Sequence, residues 1–253
     1  MIEFETRERV ALITIDRPEA RNAVNGAVAA GLRDAVQRLE SDPELWVGVI
    51  AGRGPVFSAG ADLKEIAAGR AATLAVDPGG FAGITRLSRR KPLIAAVDGP
   101  ALAGGCEIVL SCDLVVASRG ASFGIPEVKR ALAAGAGGLF RLPRVLPPVV
   151  AMELALTGDP IDAERAHALG MVNELCEPGD AVEQALDLAR RVCANAPRAV
   201  QATRDLVLRG RLADDAEAWA MTDAAMAELM QGEDFEEGPR AFIEKRPAIW
   251  TGR

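Results

Sequence analysis

Short apolar runs, each closed by Gly, Pro or Asp, alternate with helically spaced stretches as far as Pro147, and that alternation admits few folds. Val10 to Ile15 is β-branched and aliphatic and ends at Asp16-Arg17-Pro18, which predicts a strand followed by a turn. Ala27 to Leu39 places Val28, Leu32, Val36 and Leu39 on one helical face, with Asn25 at the N-cap position. Trp46 to Ile50 reads as a buried strand ended by Gly52-Arg53-Gly54-Pro55, and Leu93 to Val97 and Leu114 to Ala117 read as two more. Between those last two, a short helix opens near Gly104-Gly105 and includes Ile108-Val109-Leu110. After Pro147 the texture turns helical, in Ala151–Leu156, Ala163–Ala168, Ala181–Ala194, Arg198–Leu208 and Ala216–Met230; only Met171 to Leu175 resembles a strand. The class is α/β, a mixed strand–helix core followed by a helical tail. Gly69 to Gly80, with its Asp77-Pro78-Gly79-Gly80 turn, is the irregular stretch.

Composition narrows the chemistry mainly by exclusion. The chain carries 25 glycines and only 4% aromatic residues, which suits tight turns and close backbone packing. A net charge of -7 argues against a nucleic-acid surface. Cys106, Cys112, Cys176 and Cys193 show no CxxC spacing and are expected to be free thiols in a reducing compartment. Charges scattered through the N-terminal residues leave no room for a leader's apolar region, and no apolar run is long enough to span a membrane; a soluble, cytoplasmic protein is the expectation. His167 is the single histidine, far in sequence from every cysteine, and no GxSxG elbow accompanies it. No His/Cys cluster has metal-ligand spacing, and neither GxGxxG nor GxxxxGK occurs, so no metal, dinucleotide or nucleoside triphosphate is signalled. Carboxylates, backbone amides and glycines remain.

The glycines gather at two places. Ala101-Leu102-Ala103-Gly104-Gly105-Cys106-Glu107 follows a strand and opens a helix, where unpaired N–H groups point outward. Phe57-Ser58-Ala59-Gly60-Ala61-Asp62 is a second small-residue turn between a strand and a short helix. Each by itself is also what an ordinary tight turn looks like; together they are able to aim two donors at one carbonyl oxygen. Glu107, beside Cys106 and Ile108-Val109-Leu110, and Glu127, after Phe123-Gly124-Ile125-Pro126, are carboxyls with apolar neighbours. Such surroundings let two carboxyls hold different protonation states, one acting as base and one as acid; helix-end or surface acids are the plainer readings.

Three ordered blocks then carry a resemblance. Val56 to Glu65 (VFSAGADLKE), Ile94 to Glu107 (IAAVDGPALAGGCE), and Ser122 to Glu127 (SFGIPE) followed by Gly135-Ala136-Gly137-Gly138 resemble the signatures of the crotonase, or enoyl-CoA hydratase/isomerase, family. The likeness continues to Phe242-Ile243-Glu244-Lys245-Arg246 and so spans essentially the whole chain. It implies stacked strand–strand–helix turns in a core of residues 1–190, and a C-terminal helical trimerisation region over 191–253. It implies a homotrimer, or a hexamer built as a dimer of trimers.

The resemblance also implies roles. Ala61 and Gly104 would supply the oxyanion-hole N–H groups, and Glu107 and Glu127 would hold the water. Gly135 would lie close to that water. Ala59, Ala61, Asp62, Leu63 and Lys64 would contact the CoA ester, and Lys245 would reach CoA phosphates from a neighbouring subunit. Ala103 departs from the family, where a third glycine is common; an effect on packing is expected. Two glutamates favour a hydratase acting on a trans-2-enoyl-CoA, with an enoyl-CoA isomerase or a crotonobetainyl-CoA hydratase as alternatives within the family. Pro78 to Gly83, Arg141-Leu142-Pro143 and the C-terminal stretch from Glu237 resemble the crotonobetainyl-CoA branch. A non-catalytic CoA-binding scaffold is the alternative of another class. Coenzyme A enters as part of the substrate, and no further cofactor is implied.

Overall fold

The computed structural model describes residues 1–253. A six-stranded sheet, in the order β1-β2-β3-β6-β8-β11, forms its centre. Its strands are β1 (Ile2–Arg7), β2 (Val10–Ile15), β3 (Val47–Gly52), β6 (Leu93–Val97), β8 (Leu114–Ser118) and β11 (Glu174–Cys176). All pairings are parallel except β1 with β2, whose register sets Phe4 opposite Ile13. Parallel strands are covered on both faces, which is why β3 and β6 read as unbroken apolar runs. β1 escaped the sequence reading because one of its faces is wet: Ile2 and Phe4 alternate with Glu3 and Glu5 along an edge strand.

Smaller pieces complete the core. Strands β7 (Ala101–Leu102), β9 (Ser122–Gly124) and β10 (Ile161–Asp162) form a three-stranded sheet, and β4 (Ala75–Val76) pairs with β5 (Gly80–Phe81) in a hairpin. That hairpin and a 3-10 turn at Ala71–Leu74 give structure to the stretch expected to be irregular.

The helices α1 (Gly26–Ser41), α2 (Leu63–Ala67) and α3 (Gly104–Val109) follow a common plan. A strand of the main sheet leads to a short second strand, and a helix starts immediately after it. β2 leads to Val24 and α1; β3 leads through Ser58 to Ala61 and α2; β6 leads to β7 and α3; β8 leads to β9 and a 3-10 turn at Pro126–Arg130. The second strands stack like the first: Val24 bridges to Ala61, Ser58 bridges to Ala101, and β7 pairs in parallel with β9. The turns are thus coils of one stacked strand–strand–helix superhelix.

Two apolar clusters fill the fold. The larger lies between the sheet and α1, α3 and the second-strand layer, around Ile13, Leu32, Ile50, Phe57 and Phe123. The smaller lies on the opposite face, where α7 (Ala181–Cys193) lays Ala185, Leu186, Leu188 and Ala189 on β2, β3, β6 and β8. α4 (Gly138–Val145), α5 (Pro148–Thr157) and α6 (Ala163–Ala168) link the two regions. The chain ends in α8 (Pro197–Gly210), α9 (Asp215–Leu229) and α10 (Glu233–Glu244). α10 was missed because Gly238 and Pro239 interrupt its periodicity; a buried Glu237, paired with Arg240 and Arg246, holds it instead. The strand expected over Met171 to Leu175 is Glu174–Cys176, starting three residues later. No helix is long and apolar enough to cross a membrane.

Candidate active site

The junctions between second strand and helix on three consecutive coils bring Ala61, Gly104, Glu107 and Glu127 to the walls of one cavity of about 980 Å³. Ala59, Asp62, Leu63, Lys64 and Gly135 also line it. Lys245 does not; it caps α10 in a left-handed conformation, exposed and away from this cavity. His167 also lies outside, its Nδ1 3.0 Å from the Val172 carbonyl oxygen.

Backbone hydrogen bonds place the first donor. Ala59 N–H donates to Arg21 O, Val24 N–H to Gly60 O and Asp62 N–H to Val24 O, at 3.0, 2.8 and 2.9 Å. These bonds tie the Arg21–Val24 segment to the Ala59–Asp62 turn and leave the N–H of Ala61 donating to no atom of the chain. Gly104 is the first residue of α3, so its N–H has no helical acceptor, and it too donates to nothing within the chain. The two turns touch at glycine: a methyl on Gly60 would lie 2.6 Å from Gly104 N. Behind them, buried Asn22 accepts from Arg17 N–H and donates to the carbonyls of Arg53 and Val56, while Ser58 Oγ donates to Asn22 O.

Ala103 precedes Gly104 with φ of 53° and ψ of -128°, a conformation an L side chain rarely adopts. The departure from glycine therefore loads the backbone rather than the packing. Ala103→Gly is expected to raise stability by about 1 kcal/mol, the strain relief exceeding glycine's entropic cost. Thermal melts of the two proteins check this; an unchanged or lower Tm would count against strain at this residue.

The two glutamates sit in different settings. Glu107 is buried on α3, and its Oε1 accepts from Ala136 N–H at 2.7 Å and Gly138 N–H at 2.9 Å. Burial raises its pKa, opposed by those two N–H groups and by the charge of Arg141. Glu127, on the 3-10 turn, has its pKa raised by burial first and by Glu107 as well, and its Oε2 is buried without a partner. Two backbone donors favour an ionised Glu107; an unsatisfied buried oxygen favours a protonated Glu127.

Sequence reasoning missed the residues that hold these groups. Arg141 donates to the carbonyls of Ala136 and Thr85, which fixes the loop that feeds Glu107. Phe81 closes the cavity beside Gly104, where an added methyl would meet its ring at 2.5 Å. Gly135 has ordinary backbone, and a methyl there would meet only Ala133 O at 3.9 Å, so its missing side chain leaves open space in the cavity.

The family model for enoyl-CoA hydratase/isomerase matches residues 5–253. A mevalonyl-coenzyme A hydratase of Aspergillus fumigatus is 41% identical over 99% of this chain and 94% of its own length. A carnitinyl-CoA dehydratase of Salmonella heidelberg is 38% identical over 95% of this chain and 94% of its own. The crystal structure of enoyl-CoA hydratase EchA1 from Mycobacterium marinum superposes with a TM-score of 0.96 at 49% identity, covering 100% of this chain and 99% of that one. The stacked superhelix, with two free N–H donors and a glutamate pair lining one cavity, accords with these likenesses. The chain belongs to the enoyl-CoA hydratase/isomerase, or crotonase, family, and within it is an enzyme of the hydro-lyase kind.

Proposed function

We propose that the protein adds water to a trans-2-enoyl-CoA, giving the 3-hydroxyacyl-CoA, through the four residues of this cavity. The observation that carries the reading is the placing of two unengaged backbone donors beside two carboxyls with opposite hydrogen-bonding environments. The thioester oxygen accepts from Ala61 and Gly104 N–H, which draws charge from the β-carbon and stabilises the enolate that follows. Ionised Glu107 takes a proton from the attacking water. Protonated Glu127 gives one to the α-carbon, on the same face, and the pair exchanges roles in the reverse reaction. The scheme calls on no metal or redox cofactor. Arg21 and Lys64, beside the Ala59–Lys64 wall, suit the phosphates of CoA. Loss of the conjugated enoyl-thioester absorbance on crotonyl-CoA tests the reading. Preference for a 3-enoyl-CoA would favour an isomerase instead, and tight CoA-ester binding with no turnover would favour a scaffold.

The assembly proposed is a homotrimer or a dimer of trimers in the cytoplasm, with residues 191–253 as its helical interface region. α9 buries no residue within its own chain, leaving Trp219 68% and Met226 48% exposed. Phe242 and Ile243 on α10 are 86% and 77% exposed. Apolar area on this scale is uncommon on a monomer's surface. Light scattering is expected to report a trimer or hexamer; a monomer of 26.6 kDa would overturn both the assembly and the cross-subunit role of Lys245.

A further inference from the structure

Building on the hydratase reading, we infer that the acyl group this enzyme prefers carries a carboxylate at its far end, received by Arg130 and Arg86. In the 3-10 turn Pro126–Arg130, residues three apart eclipse one another, so Arg130 stands on the same face as Glu127. The cavity lining agrees: Pro126, Glu127 and Arg130 border it, while the intervening Val128 and Lys129 do not. Arg86 reaches it from another element, its Cβ-proximal methylenes packed where a methyl on Gly80 would meet Cγ at 2.8 Å, next to Phe81.

Arg130 and Arg86 share with Arg21 and Lys64, the two cations assigned to the CoA phosphates, the lack of a partner in the fold, and differ from them in position. Arg17, Arg70 and Lys129, all nearby, are paired with Asp62, Glu65 and Asp159. Arg130 and Arg86 take part in no ion pair of the fold, and both are exposed. Of the four acids that line the cavity, Glu19 and Asp62 are paired with Arg17, which leaves only the two reacting glutamates without a cation of the fold. Finally, the thioester has two arms. With its oxygen between Ala61 and Gly104 and its CoA arm along Ala59–Lys64, the acyl arm is left the wall of Glu127, Leu132 and Phe81, which Arg130 adjoins through the turn it shares with Glu127 and Arg86 through its packing on Gly80. Planar forks suit a carboxylate and repel a quaternary ammonium.

Binding and turnover, measured separately on the full-length protein, test the inference. Calorimetry with two saturated esters, adipyl-CoA and hexanoyl-CoA, is expected to give at least about tenfold tighter binding of the first, as one charge-assisted contact supplies. In Arg130→Leu and Arg86→Leu that ratio falls toward one. Hydration of hexenedioyl-CoA is expected to exceed that of hexenoyl-CoA by a similar factor, with crotonobetainyl-CoA the poorest substrate. Equal binding of the two saturated esters overturns the inference whatever the turnover. So does an equal loss for both esters in the variants, which would assign the arginines to the CoA phosphates. A retained binding preference without hydration of any enoyl ester would instead sink the hydratase reading alone.

Discussion

Glu127→Gln is expected to cut hydration of an enoyl-CoA by at least about 10²-fold while leaving CoA-ester binding intact, and Glu107→Gln to do the same, since each removes a proton-transfer group worth that much. Steady-state kcat beside the Kd of a saturated acyl-CoA is the check; near-normal turnover in either variant would end the paired-carboxylate mechanism. The wild-type profile of kcat/KM against pH is expected to be bell-shaped. Burial raises both carboxyls, so both limbs lie above the ordinary glutamate value of about 4.3, and they belong to the coupled pair rather than to either residue. The stability consequence has the opposite sign to the catalytic one. A carboxyl whose pKa is raised on folding contributes stability at low pH that is lost as pH rises through the folded value. Glu127→Gln is therefore expected to raise Tm at neutral pH and to change it less in acid.

Gly60→Ala is expected to cost hydration about 10² to 10³-fold, the range set by loss of one oxyanion donor. Two physical faults coincide there. Gly60 has φ of 85°, and the new methyl would lie 2.6 Å from Gly104 N and 2.9 Å from Ala103 Cβ. The methyl drives the two turns apart at the point where their donors converge. The loss should fall on kcat more than on KM, because the oxyanion contact strengthens as charge develops. Circular dichroism confirms folding; a folded Gly60→Ala enzyme with normal kcat would mean the donors are not where the carbonyl binds.

How much of this was legible beforehand depended on whether a residue's partners were near it in the chain. Ala61, Gly104, Glu107 and Glu127, which the fold brings to one cavity, could be singled out because each sits in a short ordered motif whose local pattern of strand, small residues and helix survives in the fold. The donors to Glu107 come from Ala136 and Gly138, and the brace of that loop from Arg141, all far along the chain from Glu107. No local spacing announces such a contact. Asn22 belongs to none of the motifs, yet it stands fully buried and joins three segments. Gly60 passed as one small residue among several until its distance to Gly104 gave it a reason. Lys245 is the reverse case: its motif was legible, but nothing in one chain brings it to the cavity.

The stacking of coils also explains where the site gets its accuracy. Ser58 and Ala101 are bridged partners, so the turns that carry Ala61 and Gly104 leave neighbouring strands of one stack. Neighbouring strands stand about 4.8 Å apart, and an oxygen accepting at about 2.9 Å from two donors held at that spacing would see them at an angle of about 110°. A carbonyl oxygen presents its two lone pairs at nearly that angle. On the proposed reading the pitch of the stack matches what an oxyanion needs, and the repeat of the strands, rather than a loop that would have to be tuned, would space the two donors.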